Sequence, residues 1–176
     1  MDLHEVFQST TDLIVSFYGG IACGKLCNND FKQKMAGRPF LISFEKGEGD
    51  ENHISTEYYI SLIENELKTR DIICDFQSMV SVFAFEKVRA LAEYEKIKTA
   101  PAVLFLFHLR NSGAHGNKFH FRYPNGKVKD PGTVKWRSKL ISLQLEGKKV
   151  FPDFFGVGEF PHLFEDISRI IREVKQ

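Results

Sequence analysis

The sequence predicts a mainly α fold, a bundle of about four to five helices with a small antiparallel β appendage near residues 119–150. Apolar residues recur at steps of three and four in the N-terminal half and again near the C-terminus, which is the spacing of amphipathic helices. A fully apolar run, Ala102 to Leu109, opens behind Pro101, and the pattern changes to period two after Phe119. With 176 residues, 43% of them hydrophobic and 27% charged, the chain has the size and balance of one soluble domain, so residues 1–176 are read as a single domain.

Each element has its own warrant. Leu3, Phe7, Thr10, Ile14, Phe17 and Ile21 form the stripe of a first helix, which Gly19-Gly20 weakens or ends. Glu45 to His53 reads as a mobile acidic loop. Ser55 or Thr56 is then the expected N-cap of a segment carrying Ile60, Ile63 and Leu67. A longer stripe follows through Ile72, Phe76, Met79, Phe83, Glu86, Ala90, Tyr94 and Ile97. Glu86 falls where an apolar residue is expected, and a carboxylate on a buried face must find a cation or several donors.

The run from Ala102 to Leu109 is apolar all round, hence buried whether helix or central strand, and proline at a first helical position favours helix. Phe119 to Tyr123, a Pro124-Asn125-Gly126 turn, and Lys139 to Leu145 turning at Glu146-Gly147 predict a basic β-hairpin insertion over residues 118–150. Phe160, Leu163, Phe164, Ile167, Ile170, Ile171 and Val174 mark a C-terminal helix with Pro161 in its first turn.

Several function classes find no support. No apolar run approaches the roughly 18 to 20 residues that cross a bilayer, and Met1-Asp2-Leu3-His4-Glu5 lacks the order of a secretory signal, so a cytoplasmic location without membrane association is expected. Cys23, Cys27 and Cys74 have no C-x-x-C spacing and are expected to be buried thiols rather than disulfides or zinc ligands. There is no Gly-rich phosphate loop, no H-E-x-x-H and no Gly-x-Ser-x-Gly, which leaves a small-molecule enzyme without a motif.

The net charge of +1 hides an asymmetry. Glu45 to Asp71 holds eight acidic residues against three basic ones, whereas Lys118 to Lys139 holds seven basic residues against Asp130 alone. In the second stretch Phe119, His120, Phe121, Tyr123 and Trp136 alternate with Lys118, Arg122, Lys127, Lys129, Lys135, Arg137 and Lys139, a mixture suited to phosphate attraction plus base stacking. Candidate RNA contacts are therefore Lys118, His120, Arg122, Lys127, Lys129, Lys135 and Arg137; the competing reading is a solvated hairpin with outward lysines.

The chemistry-bearing stretch is Leu109-Arg110-Asn111-Ser112-Gly113-Ala114-His115-Gly116-Asn117, where an arginine, an amide and a histidine come directly off the apolar segment. With the long amphipathic stripe, the short connection and the apolar helix before it, residues 72–117 resemble HEPN domains of the small stand-alone prokaryotic type, in the R-N-x-x-x-H form of their motif. The resemblance implies a HEPN-like helical bundle and a metal-independent endoribonuclease of the kind found in toxin–antitoxin and phage-defence systems. It implies Arg110, Asn111 and His115 as catalytic residues of one composite cleft across a homodimer interface. It further implies RNA as substrate, no metal or other cofactor, and an antitoxin or other protein as a possible partner.

The residues suit that chemistry. Histidine titrates near neutrality, so His115 can exchange the proton of a ribose 2′-hydroxyl or of the departing 5′-oxygen. The planar, permanently charged fork of Arg110 can grip two phosphate oxygens and stabilise charge developing at phosphorus. At 3.6 residues per turn Asn111 and His115 share a helical face, with Arg110 about 140° from His115. An ion pair with Glu86 would fix the guanidinium and makes Glu86 a supporting residue. Taken without the resemblance, the same residues read as a helix C-terminus with Gly113 or Gly116 as its left-handed cap. The alternative function is a non-catalytic HEPN-like domain that binds RNA or a protein partner. His108, inside the apolar run, is expected to be a hydrogen-bonded core residue.

Overall fold

The computed structural model describes residues 4–26, 29, 30, 33, 40–43, 51–54, 56–123 and 125–175. Among these are six helices, α1 Glu5–Leu26, α2 Thr56–Glu64, α3 Glu66–Arg89, α4 Tyr94–Ile97, α5 Pro101–Ala114 and α6 Phe160–Lys175, so the chain is mainly helical, with a small β appendage. Two antiparallel pairs accompany them, β1 Phe40–Ser43 with β2 Glu51–Ile54, and β3 Val134–Trp136 with β4 Lys139–Ile141. The chain divides into two compact units, Val15–Ile73 and the combination of Met1–Ile14 with Cys74–Gln176.

In the unit of residues 15–73, β1 and β2 pair with Phe40 opposite Ile54 and Ser43 opposite Glu51. Glu51, Asn52 and His53, expected in the acidic loop, thus lie in a strand; residues 45–50 of that loop fall outside the described residues. The Asn65 side chain caps α3 by accepting the Lys68 amide at 3.0 Å, and Thr69 Oγ1 donates to the carbonyls of Leu62 and Ile63, tying α2 to α3. Leu67, expected inside α2, is instead in the first turn of α3 and exposed. Helix α1 also continues through Gly19-Gly20 rather than ending there, because glycine weakens a helix by only about 1 kcal/mol per residue. Cys23 is exposed, contrary to the expected buried thiol, and Cys27 lies outside the described residues.

The other unit holds the principal core. Pro101 occupies the first turn of α5 as expected, and the helix buries Val103, Phe105, Leu106 and Leu109. Phe160, Leu163, Phe164, Ile167 and Ile171 of α6 are buried, and Phe164 stacks on Phe7 of α1 with ring centroids 4.4 Å apart. On α3 the buried stripe is Phe76, Val80, Ala84 and Val88, one face removed from the expected Met79, Phe83 and Glu86. Met79 and Phe83 are exposed because α3 carries apolar residues on more than one face, and the face holding Phe76, Val80, Ala84 and Val88, with Phe85 beside it, is the one covered. Glu86 is likewise half-buried rather than a core carboxylate.

The appendage is welded to that core. Phe105 of α5 packs against Trp136 at 5.1 Å and Phe155 at 5.8 Å, and Phe151, Phe155 and Phe160 continue the aromatic cluster. Phe119, Phe121 and Trp136, expected among the stacking aromatics, are therefore interior. The hairpin is formed by β3 and β4, while the 119–123 segment makes only the isolated bridge Arg122 to Val128, with Lys118 bridging to Lys149 beside it. Leu143 to Leu145, expected as strand, is a turn of 3-10 helix.

Candidate functional site

Two helices build the site. Gly113 lets α5 press onto α3, since a Cβ there would lie 2.6 Å from the Ser78 carbonyl oxygen and 2.8 Å from Ser81 Oγ. The close approach is sealed by Ser81 Oγ, which is bonded to the Ser78 and Leu109 carbonyls. Gly113 is thus a packing residue. Across the same seam Arg110 reaches Glu86, with Nε and Nη2 at 3.1 and 3.0 Å from Glu86 Oε1, while Nη1 lies 3.4 Å from Asn111 Oδ1. The expected Arg110–Glu86 pair is present, but its side chains are 31% and 41% exposed, so it orients the guanidinium more than it stabilises the fold.

Helix α5 ends at Ala114, and His115 is its C-cap, its amide donating to the Ser112 carbonyl. The next two residues are left-handed, Gly116 at φ 69° and Asn117 at φ 62°. Asparagine is one of the few side chains that tolerate this conformation. Asn117 is then pinned at both ends of its amide, Nδ2 donating to the Phe151 carbonyl at 2.8 Å and Oδ1 accepting the Phe151 amide at 2.7 Å. The cap expected from the residues alone is therefore real, with Gly116 rather than Gly113 in the left-handed position.

His115 is exposed and its ring lies 4.3 Å from that of His120, tilted by 31°. Burial, the like charge of His120 and then that of Arg110 hold the His115 imidazole below the usual histidine range. Both histidines and Asn111 open onto a cleft of about 190 Å³. Glu86, by contrast, lines a separate open groove of about 550 Å³ with Met79, Val82, Phe83 and Gly113.

The expected RNA contacts divide. Lys118, Lys127, Lys129 and Lys135 are exposed, and Lys129 Nζ lies 5.7 Å over the Tyr123 ring. Arg122 and Arg137 are already held by carboxylates, Arg122 by Glu146 at 2.9 Å and Arg137 by Asp166 at 3.1 Å. Desolvation opposes ionisation of both acids. The Phe121 amide and Arg122 nevertheless hold the Glu146 carboxyl below its usual value, and Arg137 and the Trp136 indole do the same for Asp166. The roles of Glu146, Asp166 and Asn117 were not visible in the sequence, because each rests on a contact across 25 or more positions.

His108 departs from the hydrogen-bonded core residue expected of it: its ring is 6% exposed and Nδ1 has no partner among the described residues. No family model, curated protein or solved structure matches the chain. The site must be argued from its own geometry. Among the described residues no three His, Cys, Asp or Glu side chains are grouped to hold a metal ion, and no helix is long and apolar enough to cross a membrane.

Proposed function

We propose that the protein is a metal-independent endoribonuclease of HEPN type, in which Arg110, Asn111 and His115 promote attack of a ribose 2′-hydroxyl on the adjacent phosphate. The observation that carries this reading is the end of α5, where one turn presents a guanidinium seated on Glu86 and an accessible imidazole held mostly neutral. A neutral imidazole can accept the 2′-hydroxyl proton, and the 5′-oxygen leaves with a proton returned by a histidine. The arginine fork offsets charge gathering on the non-bridging oxygens. The 2′-hydroxyl is also what restricts such an enzyme to RNA.

Arg110 is seated on Glu86, and His115 opens onto the His120 cleft; in a homodimer one protomer's arginine would complete its partner's histidine. The exposed Met79 and Phe83 beside Glu86 supply apolar surface for such an interface. A toxin–antitoxin or phage-defence role, with an antitoxin as further partner, belongs to the same proposal. One observation favours a second reading, an RNA- or protein-binding domain without catalysis: the Arg110 fork already has Glu86 and Asn111 as partners.

The test is cleavage of defined RNA oligonucleotides in the presence of a chelator. Expected products carry 2′,3′-cyclic phosphate ends, and a 2′-deoxyribose at the cut site blocks cleavage there. Arg110→Ala and His115→Ala each lower the rate by at least about two orders of magnitude. Cleavage that survives His115→Ala overturns the assignment, and binding without cleavage selects the second reading.

A further inference from the structure

The cleft beside His115 has a wall that acid–base chemistry does not require. Its volume of about 190 Å³ lies below the roughly 300–1,000 Å³ of drug-sized pockets, a size for one planar ring system rather than a base pair. Phe107 and Phe121 form its apolar side, and they hold the His108 ring edge-on with centroids 5.3 and 5.6 Å away. A buried ring nitrogen without a partner is unfavourable and needs an explanation. Burial, reinforced by the Lys129 charge, lowers the His108 pKa to about 4, so the imidazole is neutral at pH 7 and carries one N–H and one lone pair. Nδ1 is sealed from solvent, so a ligand meets the part of the ring that lines the cleft, as a donor or an acceptor according to the tautomer.

The mouth has a different chemistry. Tyr123 is 49% exposed, an aromatic ring that the core does not use, and Lys129 brings its ammonium over it. Arg122 is tied to Glu146 and to the Gly126 carbonyl, which stiffens this edge of the cleft. A small cleft with one apolar side, a neutral imidazole in its wall and a cation on its rim together match an anionic aromatic ligand, and the histidine pair stands at the same opening.

We propose that this cleft binds one nucleotide of the RNA, its base lodged against Tyr123 and His108 and its phosphate drawn by Lys129 toward His115. This rests on the ribonuclease reading and deepens it: Tyr123 holds a base next to the scissile bond, and His108 decides which one. Each of the four bases has a stacking face, so Tyr123 supplies affinity, whereas the hydrogen-bonding edges differ, so His108 supplies choice.

The experiment pairs binding with cleavage. The four nucleoside 3′-monophosphates and inorganic phosphate are titrated against the full chain, and an RNA pool randomised at the cut site is cleaved and sequenced. One nucleotide should bind at least about tenfold tighter than phosphate, and Tyr123→Ala should weaken it about five- to hundredfold, the worth of one base stack. His108→Phe should flatten the base preference of binding and cutting alike. Should that variant fail to fold, Tyr123→Ala and Lys129→Gln at exposed positions decide the matter alone. Equal affinity for all four nucleotides and phosphate, or unchanged affinity and preference in Tyr123→Ala, overturns the proposal even if RNA is cut. Selective, Tyr123-dependent nucleotide binding by a protein that never cuts RNA upholds the cleft and removes the catalytic reading.

Discussion

Replacing Gly113 by alanine should destabilise the protein, although the same change at an open helix position would stabilise it. An added Cβ would stand 2.6 Å from the Ser78 carbonyl oxygen, about 0.8 Å inside the 3.4 Å of ordinary contact, and that oxygen belongs to the backbone of α3 and cannot swing away. Forcing the helices apart costs about 1–3 kcal/mol as overpacking. Stretching the buried Ser81 Oγ to Leu109 carbonyl bond, now 3.2 Å, costs about 1 kcal/mol more. Alanine's better helix propensity returns about 1 kcal/mol. The net loss is about 1–3 kcal/mol, a fall in Tm of roughly 3–10 °C at this chain size. Urea unfolding is the assay, with a lowered midpoint at unchanged slope. Two controls sharpen it. Gly19→Ala, where nothing lies within 4 Å of the new Cβ, should stabilise by up to about 1 kcal/mol. Adding Ser81→Ala to Gly113→Ala removes the 2.8 Å contact but leaves the backbone clash, so full rescue is not expected. A Gly113→Ala protein as stable as the parent, or more so, refutes the close approach of α3 and α5.

Other outcomes follow from the same geometry. His108 has a pKa near 4 when folded and about 6.5 when unfolded, so the unfolded chain binds the extra proton between those values. Its share of stability is intact above pH 6.5 and drains by about 1.4 kcal/mol per pH unit on acidification, about 3 kcal/mol in all. His108→Phe should remove that slope, and parallel stability curves for the two proteins would contradict it. Glu86→Gln should lower stability by no more than about 1 kcal/mol, because the ion pair is partly solvated, yet reduce RNA cleavage by unseating Arg110; unaltered cleavage with the fold intact would deny Glu86 an orienting role. Burial holds the His115 pKa down first and His120 adds to it, so His120→Gln should raise that pKa and move the acid limb of the kcat/KM profile to higher pH. A limb that stays or moves lower counts against a shared protonation equilibrium.

How far the sequence could be read depended on whether neighbours or distant segments decide an element. Helix α5 was legible because Pro101 and eight successive apolar or near-apolar residues leave little else to form, and α6 because its stripe has one face. On α3 the choice between Met79-Phe83-Glu86 and Val80-Ala84-Val88 could not be made from periodicity, since both sets recur at helical spacing and only tertiary packing selects the second. The Arg110–Glu86 pair was anticipated for burial that does not exist: charge complementarity, not a dry core, brings the two together. The β3–β4 register is set by Trp136 packing on Phe105, a contact between residues 31 positions apart in sequence. His108 looked like core and is core by burial, yet its unsatisfied nitrogen depends on Phe107, Phe121 and Lys129 converging around it.

His115 sits one residue beyond the last regular turn of α5, held by its amide on the Ser112 carbonyl and, two residues on, by Asn117 gripping Phe151. The chemistry and the grip on substrate therefore hang from different anchors: the imidazole from the Asn117–Phe151 clamp, the stacking ring and its cation from the Tyr123–Lys129 turn. That turn is solvent-facing and buries none of the large core rings. Its residues can be exchanged wholesale, by natural divergence or by a designer's library, with the clamp and the helices untouched, which makes the strength of substrate binding, rather than the choice of base, the part of this molecule freest to drift.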